Sequence, residues 1–125
     1  MANFKTTITK SNKELTAKER IQLKDTADAV SLNEVTKEGA FVLTPVVWAK
    51  LHVSLETDAT TKEYDQIVIV GDDGQKYCTG SDSFIRAFIG ICEEMEDETE
   101  EEWAVKVFRL PSKNFSGDFI TCTII

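Results

Sequence analysis

In the segments where hydrophobic residues alternate most clearly, aromatic and positively charged residues occur together at every second position. Trp48, Lys50 and His52 stand at every second position of one such segment, and Lys106 and Phe108 are two residues apart in another. Aromatic rings stack on unpaired nucleobases and cationic side chains neutralise phosphates, so these residue types predict a surface for single-stranded nucleic acid. The candidate nucleic-acid-binding residues are Trp48, Lys50, His52, Tyr77, Lys106, Phe108, Arg109, Lys113 and Phe115.

The same residue types also occur in ordinary protein cores and turns. Phe108 and Phe119 would pack inside the protein if the assignment of strand faces slipped by one residue. We interpret Trp103 as a core residue at the start of a strand. The loop that carries Lys113 and Phe115 is also compatible with a plain solvated hairpin.

Motifs for catalysis and metal binding are missing from the sequence. It contains no GxSxG, P-loop, GxGxxG or HExxH pattern. His52 is the only histidine, and no cysteine or carboxylate stands at metal-ligand spacing from it. The pair Asp72 and Asp73 is explained by a Gly-Asp-Asp-Gly hairpin turn without a cation. We therefore expect no enzyme activity, no metal and no cofactor, and a small enzyme based on His52 is the weakest alternative.

Length and composition indicate one globular domain. The chain has 125 residues, of which 42% are hydrophobic, and a domain of this size can bury a sufficient core without disulfides. Its three cysteines (Cys78, Cys92 and Cys122) form no CxxC pair, as expected for free thiols in a reducing compartment. No secretory signal or membrane-length apolar run is visible, so we expect a cytoplasmic protein.

The acidic residues are concentrated in one run. Residues 93–102 read EEMEDETEEE, whereas the remaining acids equal the Lys and Arg residues in number, 14 of each, so this run creates the net charge of −8. One interpretation is a solvated, self-repelling helix end, because carboxylates are unfavourable at a helix C-terminus. The other is a polyanionic segment that competes with nucleic acid or recruits basic partners.

Periodicity predicts a β-rich fold for the second part of the chain. Pro45 indicates a bulge or an edge position early in a long first strand, and Ser81 is the expected N-cap of an amphipathic helix. The order β-β-β-α-β-β is that of the OB-fold, a five-stranded barrel, although other small barrels and α+β sheets share it. The predicted elements are strands over 41–55, 66–70 and 75–79, a helix from about residue 82, and strands over 103–110 and 119–125.

The first 39 residues are predicted to form an N-terminal arm, partly irregular, joined to an OB-like domain over 40–125 within a single domain. Residues 3–10 are β-prone. Ser11 and Glu14 stand at capping-box spacing before a short helix that ends near Lys24. Residues 25–39 are expected to be irregular apart from one helical turn.

Several segments of residues 40–125 resemble small replication proteins of tailed bacteriophages. DGQKYCTGS at 73–81 matches a DG-x-x-Y-x-(T/S)-x-S pattern before the helix, and WAVKV at 103–107, PSKNF at 111–115 and DFITC at 118–122 resemble the strands and basic hairpin that follow it. That group consists of single-stranded-DNA-binding proteins. The resemblance implies an OB-fold that coats displaced strands during phage DNA replication or recombination in a bacterial host.

The sequence therefore predicts binding of single-stranded DNA without strong sequence preference. Expected partners are single-stranded DNA, replication or recombination proteins and further copies of the chain, with no membrane involved. The alternative is an acidic protein–protein interaction module, such as a DNA mimic or an inhibitor of a host nuclease, and its motivating feature is the acidic run.

Overall fold

The structure, a computed structural model, describes residues 3–57, 59–96, 102–111 and 118–125. Strands predominate, and they form two open sheets. The prediction of a mainly-β chain is confirmed to the extent that strands predominate. The elements of the described residues are β1 (Asn3–Ser11), α1 (Ala17–Lys24), β2 (Val30–Ser31), α2 (Leu32–Val35), β3 (Phe41–Leu43), β4 (Pro45–Glu56), β5 (Thr61–Gly71), β6 (Lys76–Thr79), α3 (Asp82–Glu94), β7 (Val105–Pro111) and β8 (Asp118–Ile124).

The larger sheet has the strand order β1-β4-β5-β6-β2. Strands β4 and β5 form a long antiparallel pair, and β5 continues into β6 through the predicted hairpin turn. Gly74 has a φ of +79°, a conformation that costs glycine little. The Asp73 carboxylate accepts a hydrogen bond from the Gln75 backbone N–H at 2.9 Å. The hairpin turn predicted at 71–74 is therefore confirmed.

The smaller sheet has the order β3-β7-β8, with antiparallel pairing throughout. The predicted strand over 41–55 is interrupted at Thr44, and the pairing register with β5 shifts between Pro45 and Val47. The bulge expected at Pro45 is confirmed. Because β3 pairs with β7 while β4 pairs with β5, one continuous segment belongs to both sheets and holds them together.

Helix α3 fills the space between the two sheets. Phe84 and Phe88 are fully buried on it, with ring centroids 5.6 Å apart and nearly parallel planes. They pack against residues of both sheets, among them Ile69 on β5 and Val107 on β7. Ser83, in the first turn, donates a hydrogen bond to the Ile120 carbonyl of β8 at 2.8 Å. The helix begins after Ser81, as predicted, and its apolar face forms the centre of the core.

The N-terminal residues extend and cover the larger sheet. Strand β1 pairs with β4, and helix α1 places Leu23 over Leu51 and Val68 on the face opposite α3. The expected capping box at Ser11 and Glu14 is wrong: Ser11 still belongs to β1. Thr16 and Glu19 form the capping box instead, and the helix starts one turn later.

Lys76 fixes the other end of α1. Its ammonium group donates to the backbone carbonyls of Gln22 at 2.6 Å and Asp25 at 2.7 Å, which are acceptors left without intrahelical partners at a helix C-terminus. It also pairs with Asp28 at 3.1 Å. Residues 3–39 thus contribute two strands, two helices and part of a second core to the same molecule.

Two further expectations concern thiols and membranes. All three cysteines are free, and burial raises the pKa of Cys92 and of Cys122 to about 12. None of the helices in the described part of the chain is long and apolar enough to cross a membrane.

We expect Phe88→Ala to lower the free energy of unfolding by about 3–5 kcal/mol, because truncation leaves a cavity between two sheets that cannot both collapse onto it. Urea denaturation measures the change. The control is Ile21→Ala, since Ile21 is 71% exposed and should change stability by less than about 0.5 kcal/mol. Equal effects of the two substitutions would contradict the position of α3.

Candidate nucleic-acid interface

One face of the smaller sheet points away from the core and carries aromatic, apolar and cationic side chains. Residues that pair directly across an antiparallel sheet share a face. The pairs Lys106–Thr123 and Leu110–Phe119 therefore lie on the side opposite buried Val107. We call this surface the outer face. It consists of Val42, Lys106, Phe108, Leu110, Phe119, Thr121 and Thr123.

The outer face is open to solvent although much of it is apolar. Val42 is 57% exposed, Leu110 41% and Phe119 37%, whereas Phe108 is half-buried. Exposed apolar groups gathered on one sheet face are uncommon unless they contact a partner. Phe108 and Phe119 offer rings for stacking, and Lys106 offers a positive charge beside them. The surface therefore has the two chemical components that an unpaired polynucleotide requires.

Lys106 makes no ion pair with any acid in the described part of the chain, and its side chain is exposed. Lys10, Lys50 and Lys76, by contrast, are each held by a carboxylate. A cation that already has an internal partner contributes less to binding a phosphate. Lys106 is for this reason the best placed of the predicted cations.

Lys113 and Phe115, two predicted binding residues, lie outside the described residues. The described ends of their loop are Pro111 and Asp118, which pair with each other next to Leu110 and Phe119.

The predicted exposure of Trp48 and Tyr77 is wrong. Trp48 is 5% exposed, and its ring meets Phe88 edge-to-face with centroids 5.7 Å apart. Tyr77 is equally buried and donates a hydrogen bond to Asp73 at 2.7 Å. Burial and this carboxylate raise the pKa of Tyr77 to about 12. Neither ring has a face free for stacking on a base.

The error over Trp48 has a specific cause. The alternation in β4 was interpreted as one buried face and one open face, which holds when a sheet is covered on one side only. Here α3 covers the side of Trp48, and α1 covers the side of Ala49 and Leu51. Side chains on both sides of β4 are therefore buried at the middle of the strand.

Lys50 and His52 lie farther along β4, where the core ends, but acids on β5 neutralise them. The Asp65 carboxylate is 2.9 Å from His52 Nδ1 and 3.7 Å from Lys50 Nζ, and Glu63 is 3.3 Å from His52 Nε2. Hydrogen bonds that the His52 ring donates to Asp65 and, second, to Glu63 raise the pKa of His52 above its ordinary value, against a smaller effect of burial. These two cations belong to a charge network of their own.

Arg109 points to the inner side of β7, opposite Lys106 and Phe108. Its guanidinium donates to the Asn33 carbonyl of the first α2 turn, and Nε is buried without a hydrogen-bond partner in the described part of the chain. The structure therefore places Arg109 as an anchor for α2, and of the predicted residues that it describes, the outer face holds Lys106 and Phe108.

Val42 and Leu110 were missed as members of this surface. Phe119, Thr121 and Thr123 occupy every second position of β8, so local alternation alone places them on one side of the strand. Val42 joins Lys106 only through the β3–β7 pairing, which links residues far apart in sequence. No local pattern contains that information.

No group of three or more His, Cys, Asp or Glu side chains in the described residues is arranged to hold a metal ion.

The raised pKa of His52 predicts a pH-dependent stability. A cation stabilised in the folded state contributes fully below the ordinary pKa of 6.5, and the contribution disappears as pH rises through the raised folded value. The difference in unfolding free energy between wild type and His52→Gln should therefore be larger near about pH 5.5 than near about pH 8.5. Urea denaturation at both values measures it. Asp65→Asn should lower the His52 pKa, followed by NMR, more than Glu63→Gln does, and the reverse order would contradict the network.

The burial of Trp48 predicts protected fluorescence. In a Trp103→Phe variant, acrylamide should quench the remaining indole far less than it quenches free tryptophan, because Phe88 and the core shield the ring. Oligo-dT should leave this emission unchanged. Strong quenching by either agent would show that Trp48 reaches solvent.

The chain matches no protein-family model, no curated protein and no solved structure. The geometry and charge of the outer face are therefore the basis for assigning a function.

Proposed function

We propose that the protein binds single-stranded DNA without strong sequence preference, using the outer face of β3, β7 and β8. The observation that carries the proposal is the open surface that combines Phe108, Phe119 and Lys106, a lysine that pairs with no acid among the described residues. Bases stack on such rings whatever their identity, because every base has a π-face. Thr121 and Thr123 add hydroxyl groups that can hydrogen-bond to the backbone of the strand.

The topology supports an OB-type architecture for the proposal. The segment β3–β4 acts as a first strand shared by two sheets, β5 and β6 follow as a hairpin, and α3 precedes the final hairpin β7–β8. This succession along the chain agrees with the β-β-β-α-β-β order expected of an OB-fold, whose loop between the fourth and fifth strands takes part in oligonucleotide binding. In this sequence Lys113 and Phe115 stand between β7 and β8.

The resemblance to small phage replication proteins supplies the biological setting of the proposal. In that setting the chain coats displaced strands during phage DNA replication or recombination in the bacterial cytoplasm, without turnover and without a cofactor. Replication or recombination proteins and further copies of the chain are the accompanying partners.

Lys106 is the one cation among the described residues of the outer face, and this determines the salt dependence that we expect. Affinity for single strands falls with salt by a slope of about −0.7 per phosphate contact. With Lys106 and the loop residue Lys113 as the main cations, we expect a shallow salt dependence and a large contribution from stacking.

The test measures fluorescence anisotropy of labelled oligo-dT and of a duplex of the same length. Phe119→Ala should weaken oligo-dT binding by about 1–3 kcal/mol, the value of one stacked base. Lys106→Ala should reduce the steepness of the salt dependence by about 0.7. The duplex should bind more weakly than the single strand in every variant.

Matched controls come from the larger sheet. Tyr64 is 47% exposed and Lys62 is exposed, both on β5, so Tyr64→Ala and Lys62→Ala remove the same chemistry elsewhere. Loss of binding in these variants but not at Phe119 would move the site to the other sheet. Equal affinity for duplex and single strand, or no binding by wild type, would reject the function. Inhibition of a host nuclease without DNA binding would instead support the acidic interaction module.

A further inference from the structure

A cavity of about 220 Å³ lies where the end of β1, the start of β4 and the last turn of α3 meet. Its walls include Trp48, Trp103 and Met95, and Lys10, Glu93 and Glu96 contribute its polar groups. Trp103 is half-buried, so more of its ring than of Trp48 remains accessible. The next residue, Ala104, exchanges two backbone hydrogen bonds with Ile125, which fixes the chain at this wall. The cavity belongs neither to the outer face nor to the charge network of His52.

The cavity already holds one cationic group. Lys10 donates to the Glu93 carboxylate at 2.8 Å and ties β1 to α3. Hydrogen bonding to Glu93, its charge and, more weakly, the charge of Glu96 raise the pKa of Lys10. Glu96 accepts no hydrogen bond from a described residue and is exposed. The Glu93 carboxylate thus binds the ammonium group of Lys10. The Glu96 carboxylate, which also lines the cavity, accepts no hydrogen bond from a described residue.

We infer that this cavity binds an arginine side chain from a basic segment of a partner protein. A guanidinium is planar, so it stacks on an indole such as that of Trp103, and its fork of N–H donors fits a carboxylate such as that of Glu96. Met95 completes an apolar wall for the methylene groups of the same side chain. This inference goes beyond DNA binding and does not depend on it.

Charge complementarity selects the class of partner. Glu93 and Glu96 belong to the run 93–102, in which eight of ten residues are acids. A negative segment of this density attracts a basic peptide and repels phosphates. A nucleotide could place its base against Trp103, but its phosphate would then approach the carboxylates. A basic protein segment satisfies both the indole wall and the carboxylates of Glu93 and Glu96.

The experiment titrates the full chain with a short peptide of alternating arginine and glycine, with its lysine–glycine counterpart and with guanosine monophosphate. Isothermal calorimetry gives the affinities, and tryptophan fluorescence reports contact with the cavity wall. The arginine peptide should bind about fivefold more tightly than the lysine peptide, since only the guanidinium combines stacking with paired hydrogen bonds. Guanosine monophosphate should bind more weakly than either peptide.

Glu96→Gln and Glu94→Gln form a matched pair of variants. Both remove one negative charge near the end of α3, but Glu94 does not line this cavity. Glu96→Gln should weaken the arginine peptide by about fivefold, and Glu94→Gln by less than about twofold. Trp103→Leu should abolish the preference for arginine over lysine, and a thermal melt of each variant checks that the fold is intact.

Three results would overturn the inference. Equal losses in the two glutamate variants would show that the acids act as a diffuse charge and not through the cavity. Equal affinity for the arginine and lysine peptides would remove the role of the indole. Tighter binding of guanosine monophosphate than of either peptide would assign the cavity to a nucleobase. None of these results bears on oligo-dT binding at the outer face, so the two proposals fail separately.

Discussion

The packing of α3 between the two sheets is the interaction on which the rest of the structure depends. Phe84 and Phe88 are fully buried and contact apolar residues of both sheets, so one helix face provides most of what holds the sheets together. Burial of side chains of this size contributes about 1.5–3 kcal/mol each relative to exposure. The shared segment from β3 to β4 adds a covalent connection at the same place. Helix α3 and this segment together determine which sheet faces are left for other molecules.

The position of α3 also determines the possible binding surface. Helix α3 packs on Trp48 and buries it in the core, and α1 covers the opposite side of the same strand. Both faces of the larger sheet are therefore occupied at its centre. The side of β7 and β8 that points away from α3 keeps its alternate residues open, and these are the aromatic and apolar groups of the outer face. The proposed DNA surface is a consequence of where the helix packs.

Internal ion pairs restrict the chain's positive charges in a similar way. Lys10, Lys50 and Lys76 each contact a carboxylate, and Lys76 additionally holds the end of α1. These interactions connect β1 with α3, β4 with β5, and α1 with β6. These three lysines therefore serve the connection of elements more than the binding of phosphates. Lys106 is the exception among the predicted binding residues that the structure describes. The proposed function therefore assigns the neutralisation of a phosphate to Lys106.

The sequence by itself determined the elements and several of their ends. The alternation over 41–55, the Asp-Asp-Gly turn, the bulge at Pro45 and the helix after Ser81 are all local features, because strand period, turn chemistry and capping depend on neighbouring residues. The outward side of β7 and β8 also followed from local alternation. These predictions needed no knowledge of which elements pack together.

Only the tertiary structure decided which faces are covered. Alternation separates two sides of a strand, but it cannot tell whether a second element covers the other side, as α1 does beneath Leu51. It also cannot pair His52 with Asp65, or Val42 with Lys106, since these contacts join different strands. The exposure of Trp48 was mispredicted for this reason. Burial and charge pairing are properties of elements in contact, and the local sequence does not contain them.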